Sequence, residues 1–404
     1  MSQLLSHTQL IELANRFGTP LYVYHAEKIK EQYDNLQHAF LGCDAKFFYA
    51  CKALTNINVL KYVQQLGANI DCVSINEVKL ALRAGFTPER ILYTPNCVDL
   101  EEIEEGKNLG VNLNIDNISI LEQFGNKYGG SYPILIRFNP HIMGGGNYKI
   151  STGHIDSKFG ISIHQMRHIE RVVKSTGVHV KGIHMHTGSD IKDVNVFLQG
   201  LEIMFEVAEH FPQLEIIDLG SGFKVPYHED DVSTDIVSLG EKVCNAFQRY
   251  SKEKDRKFEV WFEPGKYLVS EAGYFIVKAN VIKQTTATVF VGVNSGFNHL
   301  IRPMFYEAYH RIENISNPFG NPRIYTVVGH ICETDTFAWD RKISEVREGD
   351  HLVFYNAGAY GFEMSSNFNS RLKPAEVLVK DGEAILIRKR DVFEDLLKNQ
   401  IEAL

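Results

Sequence analysis

The feature of this sequence that most limits its fold is a regular alternation of short apolar runs with longer segments of helical periodicity. Segments such as Val59–Gly67 and Phe197–Phe211 carry helical spacing between the runs. Eight strands alternating with helices over roughly 240 residues is the pattern of a (β/α)8, TIM-like barrel. An open, doubly wound parallel sheet is the alternative that the same pattern allows. The eight runs are Lys46–Lys52, Asn69–Ser74, Arg90–Asn96, Gly110–Asp116, Pro133–Asn139, Val180–Gly188, Glu215–Gly222 and Phe258–Gly265.

The last third of the chain has a different pattern, with strand-like runs and few helical segments between them. In the stretch VLVKDGEAILI, Asp381 and Gly382 separate two such runs, which is a strong signal for a β-hairpin. We therefore predict an α/β protein in which the barrel is followed by a C-terminal β-sandwich or β-barrel domain. The early run Leu21–Tyr24 could belong to either domain, and the predicted division is a barrel at 26–270 and a β domain at 1–25 plus 271–404.

Composition excludes several classes of function. The net charge is −8, so the basic surplus of a general nucleic-acid binder is absent. No run approaches the ~20 apolar residues that span a bilayer, and Met1–Gly18 lacks the basic start and apolar core of a signal peptide. We predict a cytoplasmic protein that binds neither membranes nor nucleic acid. The six cysteines show no metal-ligand spacing, so we expect reduced thiols and no metal site: Cys43, Cys51, Cys72, Cys97, Cys244 and Cys332.

Polar or small groups close most of the predicted barrel strands. In this fold the chemistry lies at the carboxyl ends of the strands, so these groups are expected to meet at one mouth. Each alone has an ordinary structural explanation, and the prediction depends on their occurring together. They are Lys52, Ser74, Asn96, Asn139, His186, the turn Gly220–Gly222, and Glu263.

Four of these groups match the needs of pyridoxal 5′-phosphate (PLP). A partly desolvated lysine such as Lys52 supplies the amine for a Schiff base. Backbone N–H groups of the glycine-rich turn Gly220–Phe223 can hold a phosphate. A carboxylate such as Glu263 keeps the pyridine nitrogen protonated, and the imidazole of His186 can pack flat on the ring.

The chain also resembles a known family over nearly its whole length. The motifs that carry the resemblance occur in the family's order and are YACKA (Tyr49–Ala53), STGHIDSKFGI (Ser151–Ile161), HMHTGSD (His184–Asp190), DLGSGF (Asp218–Phe223), EPGKYLVSEAG (Glu263–Gly273), LIRPMFYEAYH (Leu300–His310), CETDTF (Cys332–Phe337) and NAGAYGFEMSSNFNSR (Asn356–Arg371). On these motifs the chain resembles the diaminopimelate decarboxylases, within the fold-type III, alanine racemase-like PLP enzymes.

The resemblance implies a role for each matching residue toward the cofactor. Lys52 would carry PLP covalently, and His186 would stack on its ring. Glu263 would pair with the pyridine nitrogen. The phosphate would be held by Gly220, Ser221 and Gly222, by backbone groups of Glu263 to Lys266, including Gly265, and by the Tyr360 hydroxyl.

The resemblance also implies how the substrate is held. The distal amino-acid end of a diaminopimelate would be bound by Lys266, Arg302, Tyr306, Glu333 and Tyr360. Cys332 would return a proton to carbon after CO2 leaves, a role that suits a thiol because it stays mostly protonated at neutral pH. In the family Cys332 and Glu333 are expected to reach the site from a partner subunit, which implies an obligate homodimer with shared active sites.

The sequence departs from the family pattern at a few positions. Ser221 stands within a turn that is commonly three glycines, and Lys266 stands where arginine is usual, so the bidentate fork of a guanidinium is lost there. Phe368 replaces a common tyrosine, and Asn294 replaces a common aspartate. The run Gly144–Gly146 is interpreted as a loop near the mouth.

The function that the resemblance implies is PLP-dependent decarboxylation of meso-2,6-diaminopimelate at its D-centre, giving L-lysine and CO2. The chain would thus be a carboxy-lyase of lysine biosynthesis. Two alternatives remain at this point. One is a related decarboxylase acting on carboxynorspermidine, ornithine or arginine, and the other is a non-catalytic relative that binds PLP without turnover.

Overall fold

The computed structural model describes residues 5–142, 153, 156–228 and 230–404. The run Gly144–Gly146 and part of the motif Ser151–Ile161 lie outside the described residues. The chain divides into two compact units. The barrel unit comprises residues 32–225 and 232–267, and the β unit comprises residues 1–31, 226–231 and 268–404.

The barrel unit contains eight parallel strands that close on themselves. The strands pair in chain order, and the last strand pairs with the first, so the predicted barrel is confirmed and the open sheet is wrong. A further strand of two residues, β7 (Ile161–Ser162), pairs beside the fifth barrel strand. The eight are β2 (Ala45–Ala50), β3 (Asn69–Cys72), β4 (Ile91–Tyr93), β5 (Asn112–Ile115), β6 (Ile134–Asn139), β8 (Val180–Met185), β9 (Ile216–Asp218) and β10 (Glu259–Phe262).

Helices connect the barrel strands, and local sequence signals fix their ends. For example, α4 (Ile75–Ala84) begins after Ser74, whose hydroxyl accepts a hydrogen bond from the Glu77 N–H, and ends at Gly85 in the left-handed conformation. The chain passes from one unit to the other within two of the helices, α2 (Ala26–Ala39) and α10 (Lys266–Val269). The others are α3 (Ile57–Gln65), α5 (Leu100–Asn108), α6 (Ile118–Tyr128), α7 (Met166–Thr176), α8 (Val194–Ala208) and α9 (Ile236–Lys254).

The barrel strands are apolar because both of their faces are covered. A cluster of buried side chains from five strands comprises Phe48, Leu92, Leu135, Ile216 and Trp261. Strand side chains alternate between the two faces of a sheet, and these five side chains pack together in one cluster. They therefore belong to the same face of the parallel sheet. The polar residues of the site follow where this apolar packing ends.

The β unit contains a mixed sheet of nine strands, so the predicted β domain is confirmed. Strand β11 pairs with three neighbours, β1, β12 and β16, and the pairings β1–β17 and β12–β14 are parallel. The strands are β1 (Leu21–His25), β11 (Gly273–Gln284), β12 (Val289–Val293), β13 (Ile312–Asn314), β14 (Pro322–Val328), β15 (Thr336–Ser344), β16 (His351–Phe354), β17 (Ala375–Lys380) and β18 (Glu383–Arg388).

Two features of the β unit follow from its sequence. The predicted hairpin joins β17 and β18 through Asp381 and Gly382, and both residues have the positive φ that a tight two-residue turn requires. The run Leu21–Tyr24 pairs with β11 and β17 and is therefore part of this sheet. The helices of the unit are α1 (His7–Phe17), α11 (Arg302–Tyr306) and α12 (Phe393–Leu397).

The expectation that all cysteines are reduced is wrong for one pair. Cys43 and Cys244 form a disulfide within the barrel unit, with Cα atoms 5.0 Å apart. The two residues are 201 positions apart in sequence, and packing of α9 beside the start of β2 brings them together. Within the described part of the chain, no helix is both long enough and apolar enough to cross a bilayer.

Candidate active site

Lys52 lies where the first barrel strand ends, in a short 3-10 turn after β2. Its Nζ is 2.9 Å from Oδ2 of Asp71, which lies on the neighbouring strand β3 and has a fully buried side chain. Burial and the charge of Glu263 raise the pKa of Asp71 to about 7, although the Lys52 amine opposes this rise. The predicted amine therefore has a buried acid as its direct partner.

The glycine turn is built so that side chains are excluded from it. Gly220 and Gly222 have φ of 60° and 111°, which favours glycine. A Cβ on Gly220 would lie 2.7 Å from Nδ1 of His186, and one on Gly222 would lie 2.2 Å from the carbonyl oxygen of Gly188. Glycine is therefore required at both positions for the turn to pack against the segment Met185 to Gly188.

Hydrogen bonds tie this turn to Glu263. The Glu263 N–H donates to the Gly220 carbonyl at 2.8 Å, and the Ser221 hydroxyl donates to the Glu263 carbonyl at 2.8 Å. The Ser221 hydroxyl proton is thereby engaged inside the protein. The Ser221 N–H donates to Nδ1 of His186 at 3.3 Å, which joins this imidazole to the same turn.

His186 is neutral, whereas Glu263 is ionised. Burial and the positive charge of Arg137 lower the pKa of His186 to about 3, so this imidazole is neutral at physiological pH. Burial alone would raise the pKa of Glu263, yet the neighbouring His184 and Lys52 lower it to about 2. A buried carboxylate that stays ionised is suited to face a protonated ring nitrogen.

Gly265 and Lys266 follow Glu263 and have different surroundings. A Cβ on Gly265 would lie 3.1 Å from Cβ of Ala50, so this glycine permits β10 to end close to the end of β2. The Lys266 amine is buried and contacts both carboxylate oxygens of Asp190, at 2.8 and 2.9 Å. Lys266 therefore already has an acidic partner within the barrel unit.

The predicted residues of the β unit form a second group. Arg302 begins α11, is buried, and donates to the Tyr227 hydroxyl at 3.1 Å and to Nε2 of His310 at 3.3 Å. The Tyr306 hydroxyl lies 3.9 Å from the Met364 sulfur. Tyr360, half-buried and with φ of 55°, lies on the same segment as Met364.

Cys332 and Glu333 lie in an exposed loop of the β unit. Asn369 contacts Cys332 twice, since its Oδ1 accepts the Cys332 N–H at 3.0 Å and its Nδ2 lies 3.3 Å from the Cys332 sulfur. Buried Asp335 fixes the base of the loop by accepting the N–H groups of Phe297 and Ile331. The thiol is thus held by an asparagine that the sequence analysis did not single out.

Sequence reasoning missed several further polar residues of the barrel unit. Asp71 was detectable as an acid inside a buried run, and His184 was detectable because it lies two residues before His186, on the same face of the strand. Arg137 is buried in the middle of an apolar strand and balances the acids around it. Asp218, which accepts the Gly220 N–H at 2.8 Å, and Asp190, which binds the Lys266 amine, both belong to quoted motifs but were given no role.

These residues fit the cofactor that the sequence suggests. The barrel unit offers an amine, a turn whose glycines cannot carry a Cβ, a neutral imidazole and an ionised buried carboxylate. Oε1 of Glu263 has no aligned hydrogen-bond partner among the described residues, so it is available to a donor such as a protonated ring nitrogen.

Comparison with protein families places the barrel region among decarboxylases. Residues 26–270 match the family described as pyridoxal-dependent decarboxylase, pyridoxal binding domain. The chain is 38% identical to a diaminopimelate decarboxylase of Methanothermobacter thermautotrophicus, over 98% of this chain and 95% of that protein.

Solved structures give the same result over both units. A diaminopimelate decarboxylase of Helicobacter pylori complexed with L-lysine is 31% identical, with a TM-score of 0.89 over 96% of this chain and 98% of that one. A lysine/ornithine decarboxylase of Vibrio vulnificus complexed with putrescine is 20% identical with a TM-score of 0.82, over 93% of this chain and 99% of that one, and shares the fold.

Proposed function

The chain belongs to the diaminopimelate decarboxylases, within the pyridoxal-dependent decarboxylases, and from this membership we propose how its residues convert meso-2,6-diaminopimelate to L-lysine and CO2 at the D-centre. The observation that carries the proposal is the Lys52 amine, held 2.9 Å from buried Asp71 at the end of the first barrel strand. Its acidic partner, the glycine turn and ionised Glu263 all belong to the same unit and provide the groups that PLP requires.

The cofactor would be held by residues of known environment. Lys52 Nζ would bond to its aldehyde carbon, and the neutral ring of His186 would pack on its face. Because the Gly220 N–H donates to Asp218 and the Ser221 N–H donates to His186, the Gly222 N–H is the group of this turn that would bind its phosphate, helped by backbone groups of Gly265 and Lys266 and by the Tyr360 hydroxyl. Glu263 would accept a hydrogen bond from its ring nitrogen, and when bound the ring withdraws the electron pair that a departing carboxylate leaves behind.

Asp71 would serve the amine of Lys52. With a pKa raised to about 7, Asp71 exchanges a proton within the physiological range. The 2.9 Å contact would let its carboxylate take or return a proton at Lys52 Nζ, the atom that would hold the cofactor.

The distal end of the substrate carries an ammonium and a carboxylate, which need opposite charges. We propose that Arg302 and Lys266 bind the carboxylate, that Glu333 binds the ammonium, and that Tyr306 and Tyr360 complete the contacts. Lys266 would share its amine between Asp190 and the substrate, because a lysine has three donors. A simple diamine precursor would leave these charged groups without partners, which disfavours it.

Cys332 would donate the proton that replaces CO2. Asn369 holds its backbone and its sulfur, so the thiol direction is set by a side chain of the same unit. We propose that Cys332 and Glu333 act in the active site of a partner subunit of a homodimer, since both are exposed in the single chain. We also propose a cytoplasmic location, where lysine biosynthesis would supply the substrate.

Purified holoenzyme tests this function on a panel of substrates. The panel is meso-diaminopimelate, carboxynorspermidine, L-ornithine and L-arginine, each at several concentrations, with amine products identified by mass spectrometry. We expect L-lysine from meso-diaminopimelate at the highest kcat/KM, and no turnover by a K52A variant. Faster turnover of ornithine would make the substrate assignment wrong, and turnover by K52A would make the mechanism wrong.

A further inference from the structure

His184 is a buried residue of the barrel unit that the mechanism above does not use. It lies on β8, two residues before His186, and its side chain is completely buried. Its Nε2 is 3.3 Å from Oε1 of Glu263, a contact within ion-pair distance that is not aligned as a hydrogen bond. The imidazole therefore faces the carboxylate that would bind the ring nitrogen.

Asp218 is a second buried neighbour of the same carboxylate. The nearest ligand atoms of His184, Asp218 and Glu263 all lie within 4.8 Å of one another. Asp218 also accepts the Gly220 N–H at 2.8 Å through Oδ1, while its Oδ2 has no hydrogen-bond partner among the described residues. Asp218 is thus placed between the phosphate turn and Glu263.

The two acids of this cluster, Asp218 and Glu263, differ in their tendency to ionise. Burial and the charge of Glu263 raise the pKa of Asp218 well above its usual range, which favours its protonated form. Two buried carboxylates this close disfavour carrying charge together, and the neighbouring His184 and Lys52 favour the ionised form of Glu263. The other charged or titratable groups that face Glu263 are Lys52, Asp71, Arg137 and His186.

We infer that His184 and Asp218, which lie against the buried Glu263 carboxylate, are positioning residues that hold this carboxylate in one orientation and so set the protonation of the cofactor's ring nitrogen. This inference rests on the proposed function, because it assigns a partner to the residue that would face the ring. His184 would direct a ring N–H toward Oε1 of Glu263. Asp218, when protonated, would direct its carboxylic O–H toward the same carboxylate. Neither residue needs to touch the reacting atoms.

The test compares variants that keep or remove a donor at each position. H184Q retains a side-chain N–H, whereas H184F fills the space with a ring that has no donor. D218N retains both an acceptor for the Gly220 N–H and an N–H donor in place of the carboxylic proton, whereas D218A removes both. Each holoenzyme is measured for its PLP dissociation constant and for the pH dependence of the bound cofactor's absorbance, with thermal melting as a check of folding.

We expect H184F and D218A to weaken PLP binding by about tenfold or more, the size expected for loss of a contact to a charged group. Without His184, burial would raise the pKa of Glu263, so the absorbance of bound PLP would change with pH between about 6 and 9 in H184F and stay constant in the wild type. H184Q and D218N should remain close to the wild type. If H184F does not fold, the D218N and D218A pair decides the question.

A double variant separates this role from simple packing. In an E263Q background, H184F should add no further change to the absorbance profile, because its effect passes through Glu263. Additive effects, or an H184F profile equal to that of the wild type, would overturn the inference. The inference would also be overturned if Zn²⁺ blocked PLP binding in the wild type and not in H184F, since His184, Asp218 and Glu263 would then form a cation site. Wild-type turnover of meso-diaminopimelate reports separately on the proposed function.

Discussion

Replacing Gly222 by alanine tests whether the turn after β9 is shaped for a phosphate. Alanine at φ of 111° costs about 1–2 kcal/mol in backbone strain. In addition, the new Cβ would lie 2.2 Å from the carbonyl oxygen of Gly188, where ordinary contact begins at 3.4 Å, so the backbone must move by about 1.2 Å. A misplacement of about 1 Å at a binding site costs roughly 100-fold in function.

Gly85 provides the matched control for this substitution. It ends α4 with φ of 99°, close to that of Gly222, and a Cβ there would meet nothing within 4 Å. G85A should therefore carry the backbone strain without the displacement. We expect both variants to lose about 1–2 kcal/mol of unfolding free energy from strain, while only G222A loses roughly 100-fold in PLP affinity.

The assay is titration of cofactor-free enzyme with PLP, followed by absorbance, alongside chemical denaturation of both variants. Equal PLP affinity of G222A and G85A would refute the assignment of this turn to the phosphate. A loss of affinity in both would mean that strain alone, rather than the close approach to Gly188, governs binding.

Four further substitutions test other parts of the site. D71N removes the acid that lies 2.9 Å from Lys52, so steady-state kinetics should show a lower kcat with little change in KM. An unchanged kcat would exclude proton exchange between Asp71 and Lys52. Because the pKa of Asp71 is raised to about 7, folded enzyme binds an extra proton between about pH 4 and 7. The unfolding free energy of cofactor-free wild type should therefore fall relative to D71N as pH rises through that window, and parallel pH profiles would contradict this. C332A should slow product formation while PLP remains bound, and N369A should slow it more weakly. Single-turnover kinetics measures this rate, and a wild-type rate in both variants would contradict the role of Cys332. R302K loses the fork that contacts the Tyr227 hydroxyl, so KM for meso-diaminopimelate should rise about tenfold at constant PLP affinity.

The barrel could be predicted because its strands are buried on both faces and so appear as uninterrupted apolar runs. Each of the eight runs overlaps a barrel strand, and the strands are shorter than the runs at most ends. The difference arises because buried residues such as Cys51 continue the apolar run after hydrogen bonding between strands has stopped. The closing pair β10–β2 could not be read from sequence, since it joins residues more than 200 positions apart.

The site was predicted less completely than the fold, and for physical reasons. Lys52, the glycine turn and Glu263 end strands, so the barrel geometry identifies them. Asp71 and Asp218 are acids within buried segments, and their partners depend on which strands are neighbours. The disulfide between Cys43 and Cys244 was missed for the same reason, because the pairing depends on tertiary packing.

The proposed function requires that a single lysine amine at the end of β2 carries the cofactor. Reduction of the holoenzyme with borohydride, followed by proteolysis and mass spectrometry, locates the residue that bears the pyridoxyl group. We expect the adduct on Lys52 in the wild type and no adduct in K52A. An adduct on another lysine, such as Lys266, or a full-strength adduct in K52A, would contradict it.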